Sequence, residues 1–78
     1  MKMDKLLEIL NQIKPDVDFS KETNLVERRI LTSFDILKLV VEINNEFDIT
    51  ITPMHILPEN FNSAESIYKL IQKIQDED

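Results

Sequence analysis

Apolar residues recur at helical spacing over three stretches of the chain, and the segments between these stretches show no helical period. The first stretch runs from Met3 to Ile13, where apolar side chains three or four residues apart would share one face of a helix. This stripe comprises Met3, Leu6, Leu7, Leu10 and Ile13. Pro15 follows, and because the residue before a proline is driven out of the α region, the first helix is predicted to end there.

The second periodic stretch predicts a helix from about Ser33 to Phe47. Its apolar residues form two neighbouring stripes, one of Ile36, Val40, Ile43 and Phe47 and one of Leu37 and Val41. Two stripes predict a wide buried face, and hence the central helix of the fold. Thr32 precedes this stretch and Asp35 stands three residues later, which is the spacing of a capping box with Asp in place of Glu or Gln. Thr32 is therefore predicted to be the N-cap and Ser33 the first helical residue.

The segments on either side of the second helix are predicted to be irregular. Residues 15–31 read as a long loop, and its scattered apolar residues are the expected anchors to the core, namely Phe19, Leu25, Val26, Ile30 and Leu31. The run "DITITP" alternates like a strand, but the sequence offers no second strand-like run to pair with it. We expect an extended strut there, with Ile49 and Ile51 packed inward.

A last helix is predicted from near Asn62 or Ser63, because Asn62 and Glu65 have capping-box spacing and apolar residues then recur at helical offsets. These residues are Ala64, Ile67, Tyr68, Ile71 and Ile74. Pro53 and Pro58 make the preceding segment turn-rich, with one short helical turn expected near residues 54–61. The predicted fold is all-α, a small antiparallel four-helix bundle of three main helices plus one short helix, in a single domain over residues 1–78.

Composition narrows the function. A 78-residue chain has little room for a water-excluding active site, which favours a binding or carrier role over catalysis. The formal net charge of −6 disfavours nucleic acid as a partner. Such a charge would attract a protein with a basic surface, but it is equally expected of a small protein that the charge merely keeps in solution. Without a signal peptide or a bilayer-spanning apolar run, we expect a cytoplasmic monomer with no membrane insertion. The chain has no glycine, so any left-handed backbone position should fall on Asn, Asp or a strained residue.

Ser33 is the candidate site that the pattern singles out, and two interpretations of it are open. In the structural one it merely helps to start the helix, where serine is common. In the functional one its hydroxyl is exposed beside unpaired backbone N–H groups. Those groups and the helix dipole favour a phosphate that is attached or delivered there.

Three weaker candidates stand beside Ser33. A hydrolase would pair Ser33 with His55, the only histidine, but the glycine-flanked nucleophile elbow is absent. Oxygen-bearing residues in 16–27 follow EF-hand calcium-loop spacing, although Lys21 stands where that loop needs glycine; they are Asp16, Asp18, Ser20, Glu22, Asn24 and Glu27. The acidic residues Asp35, Glu42, Glu46 and Asp48 follow the second helix, as a solvated face or one that a basic partner reads.

With the helices in this order, the chain resembles an acyl carrier protein, and among these the stand-alone carriers related to D-alanyl and peptidyl carrier proteins. The resemblance covers nearly the whole chain and is clearest in "ILTSFDILKLVVEINNEFDITI" and "NFNSAESIYKLI". In such families an Asp-Ser-Leu or Asp-Ser-Phe segment precedes a helix that ends in Glu-x-x-Phe and a β-branched strut. Here "TSFD" and "NNEFDITI" match that layout.

The resemblance implies that a phosphopantetheinyl transferase attaches 4′-phosphopantetheine from coenzyme A to Ser33. The arm's thiol would carry an acyl or aminoacyl group as a thioester, as in fatty acid biosynthesis, and the carrier itself would catalyse nothing. The other implied partners are an acyl- or aminoacyl-activating ligase and a downstream acyltransferase or synthase with basic docking surfaces. The alternative functions are an unmodified carrier-like interaction module and, less favoured, a calcium-binding helix-loop-helix over residues 16–27.

Three positions depart from the family pattern. Thr32 replaces the Asp that precedes the serine and commonly helps to engage the transferase and its metal. Arg29 stands where glycine is frequent, and Lys38 replaces a commonly acidic residue on the partner-facing helix. We expect Phe34, Leu37 and Lys38 to border the partner surface.

Overall fold

The computed structural model of the protein describes residues 2–77, apart from the side chain of Lys2. Its α-helices are α1 (Lys2–Ile13), α2 (Ser33–Phe47), α3 (Pro58–Phe61) and α4 (Ala64–Glu77), and a short 3₁₀ turn covers Pro53–His55. No strand occurs in this part of the chain, so the predicted all-α fold with three main helices and one short helix is confirmed. None of the described helices has the length and apolar character needed to cross a membrane.

Helix α1 packs against both α2 and α4, and α3 packs against α4. The core between them draws apolar side chains from every α-helix and from the α1–α2 loop. Its largest fully buried side chains are Leu6, Leu10, Leu25, Leu39, Ile43, Phe61, Ile67 and Ile71. The segment after α2 forms no strand and buries Ile49 and Ile51, and this burial was predicted.

The α1–α2 loop is held to the core by the anchors that the sequence predicted. Phe19, Leu25 and Leu31 are buried, and two further anchors, Val26 and Ile30, are half-buried against the core. The N–H of Leu31 donates to the carbonyl of Leu25 at 2.9 Å, which closes a compact turn just before α2. The start of α2 therefore rests on an ordered support.

The wide buried face predicted for α2 is wrong. Leu37 and Val41 are 60% and 58% exposed. Leu39, which belongs to neither predicted stripe, is fully buried, and Ile36 and Ile43 are buried as well. At roughly 100° per residue, Leu37 and Val41 lie about 100–140° around the helix from Ile36. They therefore fall outside the face that packs on the core.

The predicted cap of α4 also needs correction. The helix begins at Ala64, and its first turn is closed by a reciprocal pair of serines. The N–H of Ser66 donates to Oγ of Ser63 at 3.0 Å, and the N–H of Ser63 donates to Oγ of Ser66 at 3.1 Å. A serine hydroxyl caps a helix start about as well as an asparagine side chain does, so Asn62 and Glu65 are not needed as the cap.

Asn62 instead joins α3 and α4 to the α1–α2 loop. Its carbonyl oxygen accepts from the N–H of Leu25 at 2.8 Å, and its Oδ1 accepts from the N–H of Val26 at 3.0 Å and of Glu27 at 3.3 Å. The side-chain Nδ2 donates to Oε1 of Glu27 at 3.3 Å. The backbone carbonyl and the side-chain amide of Asn62 thus together hold the turn that leads to α2.

Two described residues, Arg29 and Asp48, have left-handed backbone conformations, with φ of 60° and 54°. Asp48 is the C-cap of α2, and its N–H donates to the carbonyl of Asn44. An aspartate there agrees with the expectation for a glycine-free chain, since Asp tolerates this region better than most residues. Arg29 is the strained case, because the conformation costs a residue with a Cβ about 1–2 kcal/mol.

Candidate functional site

The start of α2 is built by the capping box that the sequence predicted. Thr32 is the N-cap in an extended conformation (φ −86°, ψ 170°), and its Oγ1 accepts from the N–H of Asp35 at 3.2 Å. In return Oδ2 of Asp35 accepts from the N–H of Thr32 at 3.0 Å and from its hydroxyl at 3.0 Å. The hydroxyl of Thr32 is therefore used both as an acceptor and as a donor within the cap.

The carboxylate of Asp35 has a further partner in Lys14, just after α1. The Lys14 Nζ lies 3.2 Å from Oδ2 of Asp35, whose side chain is only 13% exposed. Burial opposes ionisation of this carboxyl group, but the hydrogen bonds from Thr32 and the nearby Lys14 ammonium outweigh that effect. The pKa of Asp35 is consequently lower than its ordinary value.

Ser33 differs from the threonine beside it. It is the first residue of α2 and is exposed, and its hydroxyl makes no hydrogen bond to any of residues 2–77. Because Thr32 provides the cap oxygen, Ser33 is not required to start the helix. Among the described residues Ser33 takes no part in the capping hydrogen bonds, and the residue is exposed.

Ser33 opens onto a shallow groove of about 290 Å³. The groove is lined by Val26, Arg29, Leu31, Thr32, Ser33 and Ile36. Arg29 is the only charged residue among them, so the groove is locally basic although the protein as a whole is acidic. Three of its six lining residues, Val26, Leu31 and Ile36, are apolar.

An exposed apolar row leads away from Ser33 along α2. Phe34 is 64% exposed, and Leu37 and Val41 continue the row at helical spacing. The Nζ of Lys38 lies 4.7 Å from the centre of the Phe34 ring, a cation–π contact. We call these four side chains the α2 outer face; the sequence predicted three of them, Phe34, Leu37 and Lys38, to border a partner surface, which stays a prediction.

Ser33 and His55 do not form a catalytic pair. The Nδ1 of His55 accepts from the N–H of Thr52 at 3.0 Å and lies 3.1 Å from the Thr52 hydroxyl, in the 3₁₀ turn. His55 lines a separate cavity of about 440 Å³ between this turn and α4, which does not include Ser33. The hydrolase interpretation therefore lacks the hydrogen bond between nucleophile and base on which it depends.

The EF-hand-like spacing in residues 16–27 does not produce a calcium site. Asp18 accepts hydrogen bonds from the N–H and hydroxyl of Ser20, and Glu22 accepts two from Arg28, at 2.9 and 3.0 Å. Within residues 2–77 no three Asp, Glu or His side chains are grouped as metal ligands would be. The segment has Lys21 rather than glycine at the sixth position, where a calcium loop needs its sharp turn.

The acidic residues along α2 do not form one solvated face. Asp35 is engaged in the cap, and Glu46 lies 3.6 Å from the Nζ of Lys5 on α1. Glu42 and Asp48 are exposed. A partner could therefore meet acidic side chains on α2 only at Glu42 and toward its C-terminal end.

Comparison with known proteins decides the family. Aminoacyl carrier protein 1 of Bradyrhizobium diazoefficiens is 36% identical to this chain over 63 residues, which cover 81% of the chain and 69% of the relative. The chain belongs to the carrier-protein family. This confirms the family that the layout around "TSFD" resembles. No family model matches the sequence of this carrier protein, and no solved structure matches it.

Proposed function

We propose that this carrier protein holds an acyl or aminoacyl group as a thioester on a 4′-phosphopantetheine arm attached to Ser33. The observation that carries the proposal is the state of the Ser33 hydroxyl, which is exposed and without a hydrogen bond among the described residues. The neighbouring hydroxyl of Thr32 performs the capping that would otherwise occupy Ser33. The residues present thus fit a covalent arm at Ser33.

The attachment makes Ser33 a nucleophile. Its oxygen forms a bond to the phosphorus next to pantetheine in coenzyme A, the bridging oxygen of the pyrophosphate leaves with the adenosine bisphosphate, and the serine proton passes to a base of the transferase. Since the chain has no cysteine, the thiol that carries the cargo comes with the arm. The protein supplies position and catalyses no step itself, while Thr32, Asp35 and Lys14 keep the start of α2 in place.

The α2 outer face supplies the partner surface in this proposal. An enzyme whose active site closes over Ser33 must also cover Phe34, the next residue, and an apolar row continues from there to Leu37 and Val41. The partners are a phosphopantetheinyl transferase, an acyl- or aminoacyl-activating ligase, and a downstream acyltransferase or synthase. The name of the Bradyrhizobium relative favours an aminoacyl cargo. The protein acts as a single domain, and the cytoplasm is the proposed compartment.

Incubation of the purified protein with coenzyme A and a broad-specificity phosphopantetheinyl transferase tests the proposal. We expect the intact mass to rise by one phosphopantetheinyl group and the thiol content to rise from none to one per chain. Ser33→Ala should show neither change. Ser20→Ala, which removes another exposed serine hydroxyl, should load like the parent protein.

An unchanged mass and no thiol in the parent protein would refute attachment at Ser33 and favour an unmodified carrier-like interaction module. A mass gain that persists in Ser33→Ala would place the arm on another residue. Both readouts are needed, since a thiol appears only with the arm whereas a mass gain alone has other sources.

A further inference from the structure

We propose that Arg29 binds the phosphate of the arm attached to Ser33 and so fixes the direction in which the arm leaves the protein. The inference rests on the proposed function and adds to it a positioning residue that the attachment itself does not require. The ligand chemistry is that of a phosphodiester monoanion, which the bond from Ser33 Oγ to phosphorus creates.

The placement of Arg29 is the first support. Arg29 and Ser33 line the same groove, and among the described residues no other charged side chain lines it. A phosphate joined to Ser33 Oγ therefore enters a groove to which the described part of the chain contributes one cation and no carboxylate. Asp35, two residues after Ser33, is already engaged by Thr32 and Lys14. Glu27, two residues before Arg29, accepts a hydrogen bond from the side chain of Asn62.

The availability of the guanidinium is the second support. Arg28, the preceding residue, is held by both carboxylate oxygens of Glu22, at 2.9 and 3.0 Å. The side chain of Arg29 is exposed and has neither an ion pair nor a hydrogen bond with any residue from 2 to 77. In a chain of net charge −6, one arginine of an adjacent pair is thus neutralised and the other is left facing the groove of Ser33.

The backbone at Arg29 is held by hydrogen bonds, which keeps this residue beside the groove of Ser33. Its N–H donates to the carbonyl of Val26 at 3.0 Å, and the turn is closed by the bond from Leu31 to Leu25 and held by Asn62. A strained, left-handed residue persists only where the surrounding structure determines it. The planar guanidinium can then present two parallel N–H groups to phosphate oxygens.

Because the contact is exposed, it should be moderate in strength and sensitive to salt. It should therefore alter the environment and mobility of the arm's phosphate without being essential for loading. That separates it from the role of Ser33, whose loss abolishes loading.

The test compares four loaded proteins by NMR: the parent, Arg29→Gln, Arg29→Lys and the matched control Arg28→Gln. In the parent we expect the Nε–Hε signal of Arg29 to shift on loading. We expect the phosphorus resonance of the arm to differ in Arg29→Gln but not in Arg28→Gln, and Arg29→Lys to lie between. Salt at about 1 M, where the Debye length is about 3 Å, should remove the difference between the parent and Arg29→Gln.

The possible failures are distinguishable. If no variant and no parent protein loads, the proposed function fails. If all load but the phosphorus resonance is the same in the parent and Arg29→Gln, and the Arg29 Nε–Hε signal does not move, the inference about Arg29 is refuted while Ser33 remains the attachment site. The shift of the Arg29 Nε–Hε signal on loading is measured in the parent protein. It therefore tests the contact between Arg29 and the phosphate even if Arg29→Gln folds poorly.

Discussion

Truncation of the two neighbouring hydroxyls at the start of α2 should have opposite consequences for stability and for loading. Thr32→Ala removes an acceptor for the N–H of Asp35 at 3.2 Å and a donor to the Asp35 carboxylate at 3.0 Å. Ser33→Ala removes a hydroxyl with no hydrogen bond among the described residues and introduces the best helix former at an exposed position. The stability role and the chemical role are thus assigned to different residues one position apart.

The magnitudes follow from these contacts. Replacement of an N-cap Thr by Ala costs roughly 0.5–2 kcal/mol, typically about 1 kcal/mol. The additional hydroxyl donation to an ionised carboxylate places Thr32→Ala in the upper half of that range, about 1–2 kcal/mol. For a domain of 60–100 residues, 1 kcal/mol shifts the melting temperature by about 4–8 °C. Ser33→Ala should change the free energy of unfolding by less than about 0.5 kcal/mol.

Urea denaturation followed by circular dichroism measures both variants, with Thr32→Ser as the control that keeps the cap oxygen. We expect Thr32→Ser to be close to the parent, Thr32→Ala to unfold at lower urea with an unchanged slope, and Ser33→Ala to overlay the parent. If Ser33→Ala loses as much stability as Thr32→Ala, Ser33 is a structural cap and the division of roles is refuted. If Thr32→Ala loses nothing, the capping box does not contribute to stability.

Four further substitutions test other parts of the structure by the same unfolding measurement. Ile43→Ala in the core should lower the free energy of unfolding by roughly 2–4 kcal/mol, whereas Val41→Ala on the α2 outer face should lower it by less than about 0.5 kcal/mol. Equal losses of stability in the two variants would contradict the exposure of Val41. Arg29→Gly should raise the free energy of unfolding by roughly 0.5–1 kcal/mol, because relief of the left-handed strain outweighs the greater conformational entropy of glycine in the unfolded chain. A loss of stability would show that Arg29 is not strained. The folded-state pKa of Asp35 lies below its ordinary value of 3.8, so the stability that its carboxylate contributes is present above pH 3.8 and is lost as the pH falls through the folded pKa. The difference in free energy of unfolding between the parent and Asp35→Asn should therefore shrink in that acidic range. A difference that stays constant with pH would refute the pKa shift.

Local rules were sufficient for much of this fold. Helical spacing and Pro15 located α1, and the Thr32–Asp35 spacing correctly predicted the cap of α2 because both partners lie within one turn. The same rule failed at α4, where Asn62 and Ser63 were both suitable caps. The competition was resolved by a distant contact, since Asn62 bonds to residues 25–27, more than thirty positions earlier in the chain. No local pattern contains that information.

The site was predictable only in part for a similar reason. Sequence position identified Ser33, but whether its hydroxyl was free depended on where the other hydrogen-bonding groups lay. The adjacent residues Arg28 and Arg29 are chemically identical in the sequence, and only the folded turn pairs Arg28 with Glu22 and turns Arg29 toward the groove. The contrast that supports the phosphate contact therefore arises from a single left-handed residue that no propensity scale favours.

The exposure of Leu37 and Val41 shows that one helix serves two surfaces. Helical periodicity registers that a side chain is apolar but not what covers it, so a face that packs on the core and a face that meets a partner look alike in the sequence. Phe34, Leu37 and Val41 are 58–64% exposed, so their apolar area contributes little to folding. A row of large apolar side chains that begins next to Ser33 is typical of a surface that another protein covers. The same α2 thus fixes Ser33 through its inner face and, in the proposed function, presents it through its outer face.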